Sequence, residues 1–340
     1  MNYLHQLPLL LALTLLLACQ QSPTSSSENC AYLNFQTPGD YQAGGVQMLE
    51  IDGGYRVWTK RFGNNPRIKV LLLHGGPAMT HEYMECFQSF FPQANIEFYE
   101  YDQLGSYYSD QPTDTALWTI ERFVEEVEQV RKALNLTPDN FYLLGNSWGG
   151  LLGMEYALKY QDRMKGLIIC NMTADFGKYE AYNAQLRSQL PAALLDSMKY
   201  YEDREDFFNP AYEAMVVESY YKKHICRMDE FPDPVNRAFK HVNPDVYVYM
   251  QGPSEFVPGG ILKGWSVWDR LPELKVPTLT VGAEYDTMNP AEMKEMSELV
   301  QKGRYLHCPN GSHLAMWDDQ EAFMTGVIQF IKDVDSGAFQ

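Results

Sequence analysis

Positive charge is scarce in this sequence. Lys and Arg number 27 against 44 Asp and Glu, giving a formal net charge of −17. A surface of that sign repels phosphate, so nucleic acid is excluded as a partner. The same excess of carboxylates solvates the surface and can attract cationic substrates. Cysteine is sparse and scattered. None of the six residues forms a Cys-x-x-Cys pair, so zinc or another bound metal is not indicated. Long apolar runs are also missing. Only Leu7 to Ala18 stands out, interrupted by Pro8 and Thr14, and it is too short for a membrane span. No internal repeat occurs, which removes solenoids from consideration. Hydrophobic residues at 45% and charged residues at 21% are ordinary globular values, which excludes disorder outside the N-terminus.

The N-terminal run suits the core of a signal peptide. It is followed by Leu16-Leu17-Ala18-Cys19, which resembles a bacterial lipobox. In that motif the cysteine is lipidated and becomes the mature N-terminus. The sequence therefore predicts a signal segment over 1–18, a polar, Ser-rich tether over 19–43, and a lipid anchor at Cys19. The expected location is outside the cytoplasm, held by lipid to a bacterial cell-envelope membrane. Export permits disulfides, but Cys30, Cys86, Cys170, Cys226 and Cys308 are odd in number, so at least one thiol stays free.

Roughly 320 residues remain, enough for one large domain with an inserted lid. Short apolar strands alternate with amphipathic helices. Strands are expected over 55–61, 69–73, 96–101, 141–144, 167–170, 278–281 and 304–308. Helices are expected over 119–134, 150–160, 290–300 and 320–334. That rhythm predicts an α/β fold with a mostly parallel, doubly wound sheet. It breaks over 175–262, a segment rich in Tyr, Phe and Met with helical patches at 192–201 and 211–223. This stretch is expected to form a helical cap inserted into a core made of 44–174 and 263–340.

Gly145-Asn146-Ser147-Trp148-Gly149-Gly150 follows a strand and opens a helix, the context that a G-x-S-x-G nucleophile turn requires. A serine hydroxyl is a weak nucleophile at neutral pH. It needs an imidazole within hydrogen-bond reach and a carboxylate to fix that imidazole. In this chain order the acid follows the next-to-last strand and the histidine the last. Asp286 and His313 hold those places. Glu284 is the competing acid. His307 is the nearest competing base, but it falls inside a strand pattern and is expected to pack. Oxyanion donors are expected from the Trp148 amide and from Gly76 in His74-Gly75-Gly76-Pro77, where glycine lets the backbone approach the substrate.

These motifs, with Asp102-Gln103-Leu104-Gly105, Gly311-Ser312-His313-Leu314-Ala315-Met316-Trp317 and Gly252-Pro253-Ser254-Glu255-Phe256, resemble the proline iminopeptidase family of α/β hydrolases. The likeness runs from about Gly44 to the C-terminus. It implies release of an N-terminal residue, often proline, from short peptides with a free N-terminus, without metal or cofactor. It also implies that Glu255 receives the substrate's amino group. A carboxylate is suited to that task because a charge-assisted hydrogen bond recognises the cationic terminus and rejects a blocked one. Two positions depart from the family pattern. Ala78 stands where glycine is usual, and Thr287 stands where some members carry a second acidic anchor. Glu213 or Glu218 could supply that acid instead. The rival reading is an esterase, amidase or lactonase on the same scaffold. Serine as nucleophile disfavours dehalogenase and epoxide-hydrolase chemistry, which use aspartate at that turn.

Overall fold

The computed structural model describes residues 45–339. The expected signal segment, the tether, Cys19 and Cys30 lie outside them.

Eight strands form one sheet: β1 (Val46–Ile51), β2 (Tyr55–Phe62), β3 (Lys69–Leu73), β4 (Glu97–Asp102), β5 (Phe141–Asn146), β6 (Gly166–Cys170), β7 (Thr278–Ala283) and β8 (Gly303–Cys308). Their order is β1-β2-β4-β3-β5-β6-β7-β8. The pairs β1/β2 and β2/β4 are antiparallel and all others are parallel. Strand β1 is not expected from the sequence. Its Val-Gln-Met-Leu-Glu-Ile run lacks clean alternation, and its middle residues are only partly covered.

The central strands read as continuous apolar runs because helices cover both faces. Alternate residues then serve two cores. Leu71, Leu73, Leu143, Leu167 and Ile169 join one cluster; Val70, Leu72, Tyr142, Leu144, Ile168 and Cys170 join the other. On the first face lie α1 (Ile120–Ala133) and α2 (Trp148–Tyr160). The hydroxyl of Thr119 caps α1 by accepting from the Arg122 N–H at 3.2 Å, and Arg131 and Lys132 sit in its last turn.

After β6 the chain leaves the sheet. Helices α3 (Phe176–Arg187), α4 (Ala192–Glu202), α5 (Pro210–Val216), α6 (Lys222–His224), α7 (Asp233–Lys240) and α8 (Pro244–Gln251) follow, with α5 and α6 joined through a π-type turn at Val217–Tyr221. The two ends of this excursion are tied together. Phe176 N–H donates to the Trp265 carbonyl at 2.9 Å and Val267 N–H to the Ala174 carbonyl at 2.8 Å. Leu186, Met198, Tyr212, Val216, Tyr220 and Phe256 give the cap a small apolar core of its own. The chain then returns to β7, α9 (Pro290–Leu299), β8, α10 (Ala315–Asp318) and α11 (Gln320–Ser336). Among the described residues no helix is long and apolar enough to cross a membrane.

Candidate active site

Ser147 occupies the turn between β5 and α2 with φ 55° and ψ −127°. L-residues reach that region only under strain, and the surrounding contacts hold it there. The Ser147 N–H donates to the Cys170 carbonyl at 3.0 Å, and the Ser147 carbonyl accepts from Gly150 at 2.7 Å. The turn is so tight that its flanking glycines are obligatory. A Cβ at 145 would stand 2.0 Å from the Gly149 carbonyl oxygen, and one at 149 would stand 2.1 Å from that of Leu73.

The loop after β3 lies against this serine. A Cβ at Gly75 would approach the Ser147 Cβ to 3.0 Å. The Gly75 N–H donates to the Tyr83 hydroxyl at 2.6 Å, and that hydroxyl donates to Asn146 Oδ1 at 3.0 Å. The Gly76 N–H has no acceptor among the described residues. Gly76 has φ 111°. The Trp148 N–H, in the first turn of α2, has no intrahelical partner either. Ala78 takes φ 55° and is buried. Glycine enters that region freely, so alanine there carries strain of roughly 1 kcal/mol.

Gln103 explains why the Asp102-Gln103-Leu104-Gly105 motif accompanies the other two. Its Nε2 donates to the His74 carbonyl at 3.1 Å and its Oε1 accepts from the Trp148 indole at 2.8 Å. Its backbone N–H donates to His74 Nε2 at 3.1 Å. His74 therefore carries its proton on Nδ1, which lies 2.8 Å from the Gly75 carbonyl. Burial holds this ring below the ordinary imidazole pKa and keeps it neutral. One glutamine thus fastens the loop of Gly76 to the residue after the serine.

Asp286 and His313 come from the loops after β7 and β8. Asp286 is fully buried, and its Oδ1 lies 2.8 Å from His313 Nδ1. The other oxygen accepts from Asn171 Nδ2 at 2.7 Å. Thr287 Oγ1 is 3.3 Å from both Asp286 Oδ1 and His313 Nδ1. Burial alone would depress the basicity of His313. The charge and hydrogen bond of Asp286 outweigh it, so the imidazole pKa is raised above its usual value. Ser147 and His313 open into one cavity of about 450 Å³ beneath the cap. The competing acid and base pair with each other elsewhere: Glu284 lies 3.6 Å from His307 Nε2, and both are exposed. The expectation that His307 packs is corrected, because β8 is the last strand of the sheet and leaves that side chain in solvent.

Glu255 lines the same cavity from the cap side. Its Oε1 accepts from the Tyr247 hydroxyl at 2.9 Å and its Oε2 from Tyr179 at 2.5 Å. Burial first, and the charge of Glu255 second, push both phenols up, so they remain protonated donors. A carboxylate has about four acceptor positions, so two remain for a ligand. Of the alternative acids, Glu213 lines the cavity, whereas Glu218 is exposed and pairs with Lys222 at 2.7 Å. Most of the remaining wall is apolar, with Phe207, Val216, Ile225 and Phe239 among its residues.

Sequence reasoning misses Tyr83, Gln103, Asn171 and Thr287 as supports of the site. Two further histidines, His81 and His241, do not line the cavity and are held by carboxylates. His81 is buried against Asp102, with Nδ1 2.8 Å from Oδ1. His241, just beyond α7, meets Glu82 at 2.7 Å. The four described cysteines are buried and free, with no disulfide between them.

A mostly parallel eight-stranded sheet, a serine at a strand–helix turn and a histidine–aspartate pair on the last two loops define an α/β hydrolase. The sequence profile of the alpha/beta hydrolase fold matches residues 69–320. More specifically, the chain belongs to the proline iminopeptidase family. It is 61% identical to the proline iminopeptidase of Flavobacterium johnsoniae, over 83% of this chain and 96% of that one. It is 60% identical to the proline iminopeptidase of Elizabethkingia meningoseptica, over 84% and 97%. The crystal structure of proline iminopeptidase from Mycobacterium smegmatis superposes with a TM-score of 0.77 at 29% identity, covering 86% of this chain and 99% of that one.

Proposed function

We propose that this chain is a serine aminopeptidase that releases N-terminal residues, proline preferred, from short peptides through an acyl-enzyme. The observation that carries this reading is the shared cavity. Ser147 and His313 stand on its sheet side, and a carboxylate with unused acceptor positions, Glu255, stands on its cap side.

In this reading the cationic terminus binds Glu255, and apolar walls receive the first side chain. Ser147 Oγ attacks the first peptide carbonyl while His313 takes its proton. The buried Asp286 carboxylate stabilises the imidazolium that results and keeps the proton on Nδ1 in the resting state. Negative charge developing on the carbonyl oxygen is met by the N–H groups of Gly76 and Trp148. His313 then returns the proton to the departing amine, and the acyl group stays on Ser147. A water molecule, deprotonated by the same imidazole, releases the free residue. Glu213 on the cavity wall is the candidate for a second contact to the amine.

A panel of fluorogenic aminoacyl amides tests the proposal. Release from prolyl amide, and much slower release from its N-blocked counterpart, is the expected result. No release from any free-amine amide, together with robust cleavage of simple esters, would overturn the peptidase reading in favour of the esterase one.

We also propose export and lipid anchoring at Cys19, supported by the lipobox-like Leu16-Leu17-Ala18-Cys19. Expression in a bacterial host with fractionation tests this: Cys19→Ser should move the protein from the membrane to the soluble fraction. Equal partition of both forms would sink it.

A further inference from the structure

The loops bearing Asp286 and His313 are in register only as far as β7 and β8 extend, to Ala283 and Cys308. Beyond those residues two backbone bonds join the loops directly, from the Glu284 N–H to the Cys308 carbonyl at 3.1 Å and from the Tyr285 N–H to the Gly311 carbonyl at 3.0 Å. Past Gly311 a segment of the cap adds a tie of its own, where α6 ends. The His313 N–H donates to the His224 carbonyl at 3.0 Å, and the Leu314 N–H to the Ile225 carbonyl at 2.8 Å. The His224 ring points to the other loop. Its Nδ1 lies 2.7 Å from the carbonyl of Tyr285, the residue before Asp286. A carbonyl only accepts, so Nδ1 carries the proton and donates.

Neighbouring residues reinforce this grip. Arg227 lies over the Tyr285 ring at 3.5 Å from its centroid. The Arg227 N–H donates to Asp318 at 2.8 Å, and Asp318 accepts from the Ser312 N–H at 3.0 Å. His224 is itself buried, with the Tyr220 ring at 4.9 Å. Tyr220 meets Phe256 edge-on at 5.0 Å, next in the chain to Glu255. The Tyr220 hydroxyl donates to Asn183, whose amide donates to the Thr287 carbonyl at 3.0 Å. A continuous set of contacts therefore runs from the residue beside Glu255 to both loops.

We infer that His224 is a positioning residue: from the cap it holds the acid loop with its ring and the base loop with its carbonyl, and so fixes Asp286 against His313. This inference rests on the Ser147–His313–Asp286 reading given above. It assigns the cap a part in the chemistry and not only in substrate choice.

The ring bond can be removed while the carbonyl bond is kept. His224→Ala deletes the donor. His224→Asn restores one near the Nδ1 position. His224→Gln keeps a polar side chain but carries its amide near the Nε2 position, so it replaces the alanine variant if that one does not fold. The readouts are kcat and KM on an aminoacyl amide, the rate of labelling by a fluorophosphonate, the acid limb of the pH–kcat profile, and Tm. The expected result for His224→Ala or His224→Gln is a loss in kcat and labelling rate on the order of 10²-fold, with KM little changed. The acid limb should move to lower pH, and His224→Asn should recover most of the loss. A purely structural role would lower Tm and leave kcat and the acid limb of the folded fraction unchanged; that result overturns the inference. So does a folded His224→Asn as slow as His224→Ala. Failure of the triad reading shows differently: wild type would resist the fluorophosphonate, or Ser147→Ala would keep its activity.

Discussion

Asn171 holds the oxygen of Asp286 that His313 does not use. Its Nδ2 lies 2.7 Å from Asp286 Oδ2 and 3.2 Å from the Ser312 carbonyl, so one amide touches both the acid and the residue before the base. The backbone at Asn171 has φ 53°, a conformation asparagine tolerates better than most residues. Asn171→Ala is expected to lower kcat by about 10- to 10²-fold, the equivalent of a hydrogen bond to a charged group. Steady-state kinetics on a prolyl amide check this. An unchanged kcat would show that Asp286 is held without the amide.

The raised pKa of His313 sets a pH dependence. The imidazole must be neutral to accept the serine proton, so activity falls as pH drops through the His313 pKa. Because Asp286 outweighs the effect of burial, the acid limb of kcat/KM should lie above the ordinary imidazole value of 6.5. Asp286→Asn removes the charge and leaves burial dominant, so the limb should shift to lower pH. Activity should fall by about 10⁴-fold as the imidazole loses its correct tautomer. A limb that stays in place in Asp286→Asn would show that another group governs it.

Glu255→Gln separates the two candidate activities. The amide still accepts from one tyrosine but offers no charge to an ammonium group. Loss of a charge-assisted bond predicts a fall of about 10- to 10²-fold in kcat/KM for free-amine substrates. Hydrolysis of a small uncharged ester should be nearly unaffected. Equal losses on both substrates would mean that Glu255 supports the cavity and not the amine.

Two glycines of the same helix should respond in opposite ways. In Gly149→Ala the new methyl would meet the Leu73 carbonyl oxygen at 2.1 Å, with backbone on both sides unable to yield. The expected cost is on the order of 4 kcal/mol or more, seen as a large drop in Tm or as insoluble protein. Gly153→Ala meets Leu167 Cδ1 at 3.4 Å and Leu143 Cδ2 at 3.9 Å, both ordinary contacts. Inside a helix, alanine is favoured over glycine by roughly 0.8–1 kcal/mol. Its Tm should hold or rise, and thermal unfolding of both variants decides the matter.

The turns that bear chemistry are legible because each comes directly after a buried parallel strand. Such strands read as unbroken apolar runs, as in Val70 to Leu73 or Tyr142 to Leu144, and the loops at their C-terminal ends must gather along one edge of the sheet. Ser147, Asp286 and His313 can therefore be located by counting strands. Strand β1 escapes notice because an antiparallel edge strand with only its end residues buried lacks that signature. Helices α3, α7 and α8 are not delimited within the expected cap for a different reason: α7 and α8 are only eight residues each, and α3 mixes its few buried residues with polar ones, so none offers a long apolar stripe. The supports of the site are illegible in principle. Asn171 meets Asp286 across 115 positions and Gln103 meets Trp148 across 45, and no local pattern announces such partners. His307 is misread because alternation marks a strand but not whether that strand is the outermost.

The apolar knot formed by Leu186, Met198, Tyr212, Val216, Tyr220 and Phe256 gives the cap a packing centre distinct from the two clusters on the sheet. Wall residues such as Phe207 and Val248 face the cavity from the cap, so exchanging them changes the space for the first side chain without touching Ser147, Asp286 or His313. A chimera that exchanged the whole excursion, however, would have to bring a replacement for His224 with it.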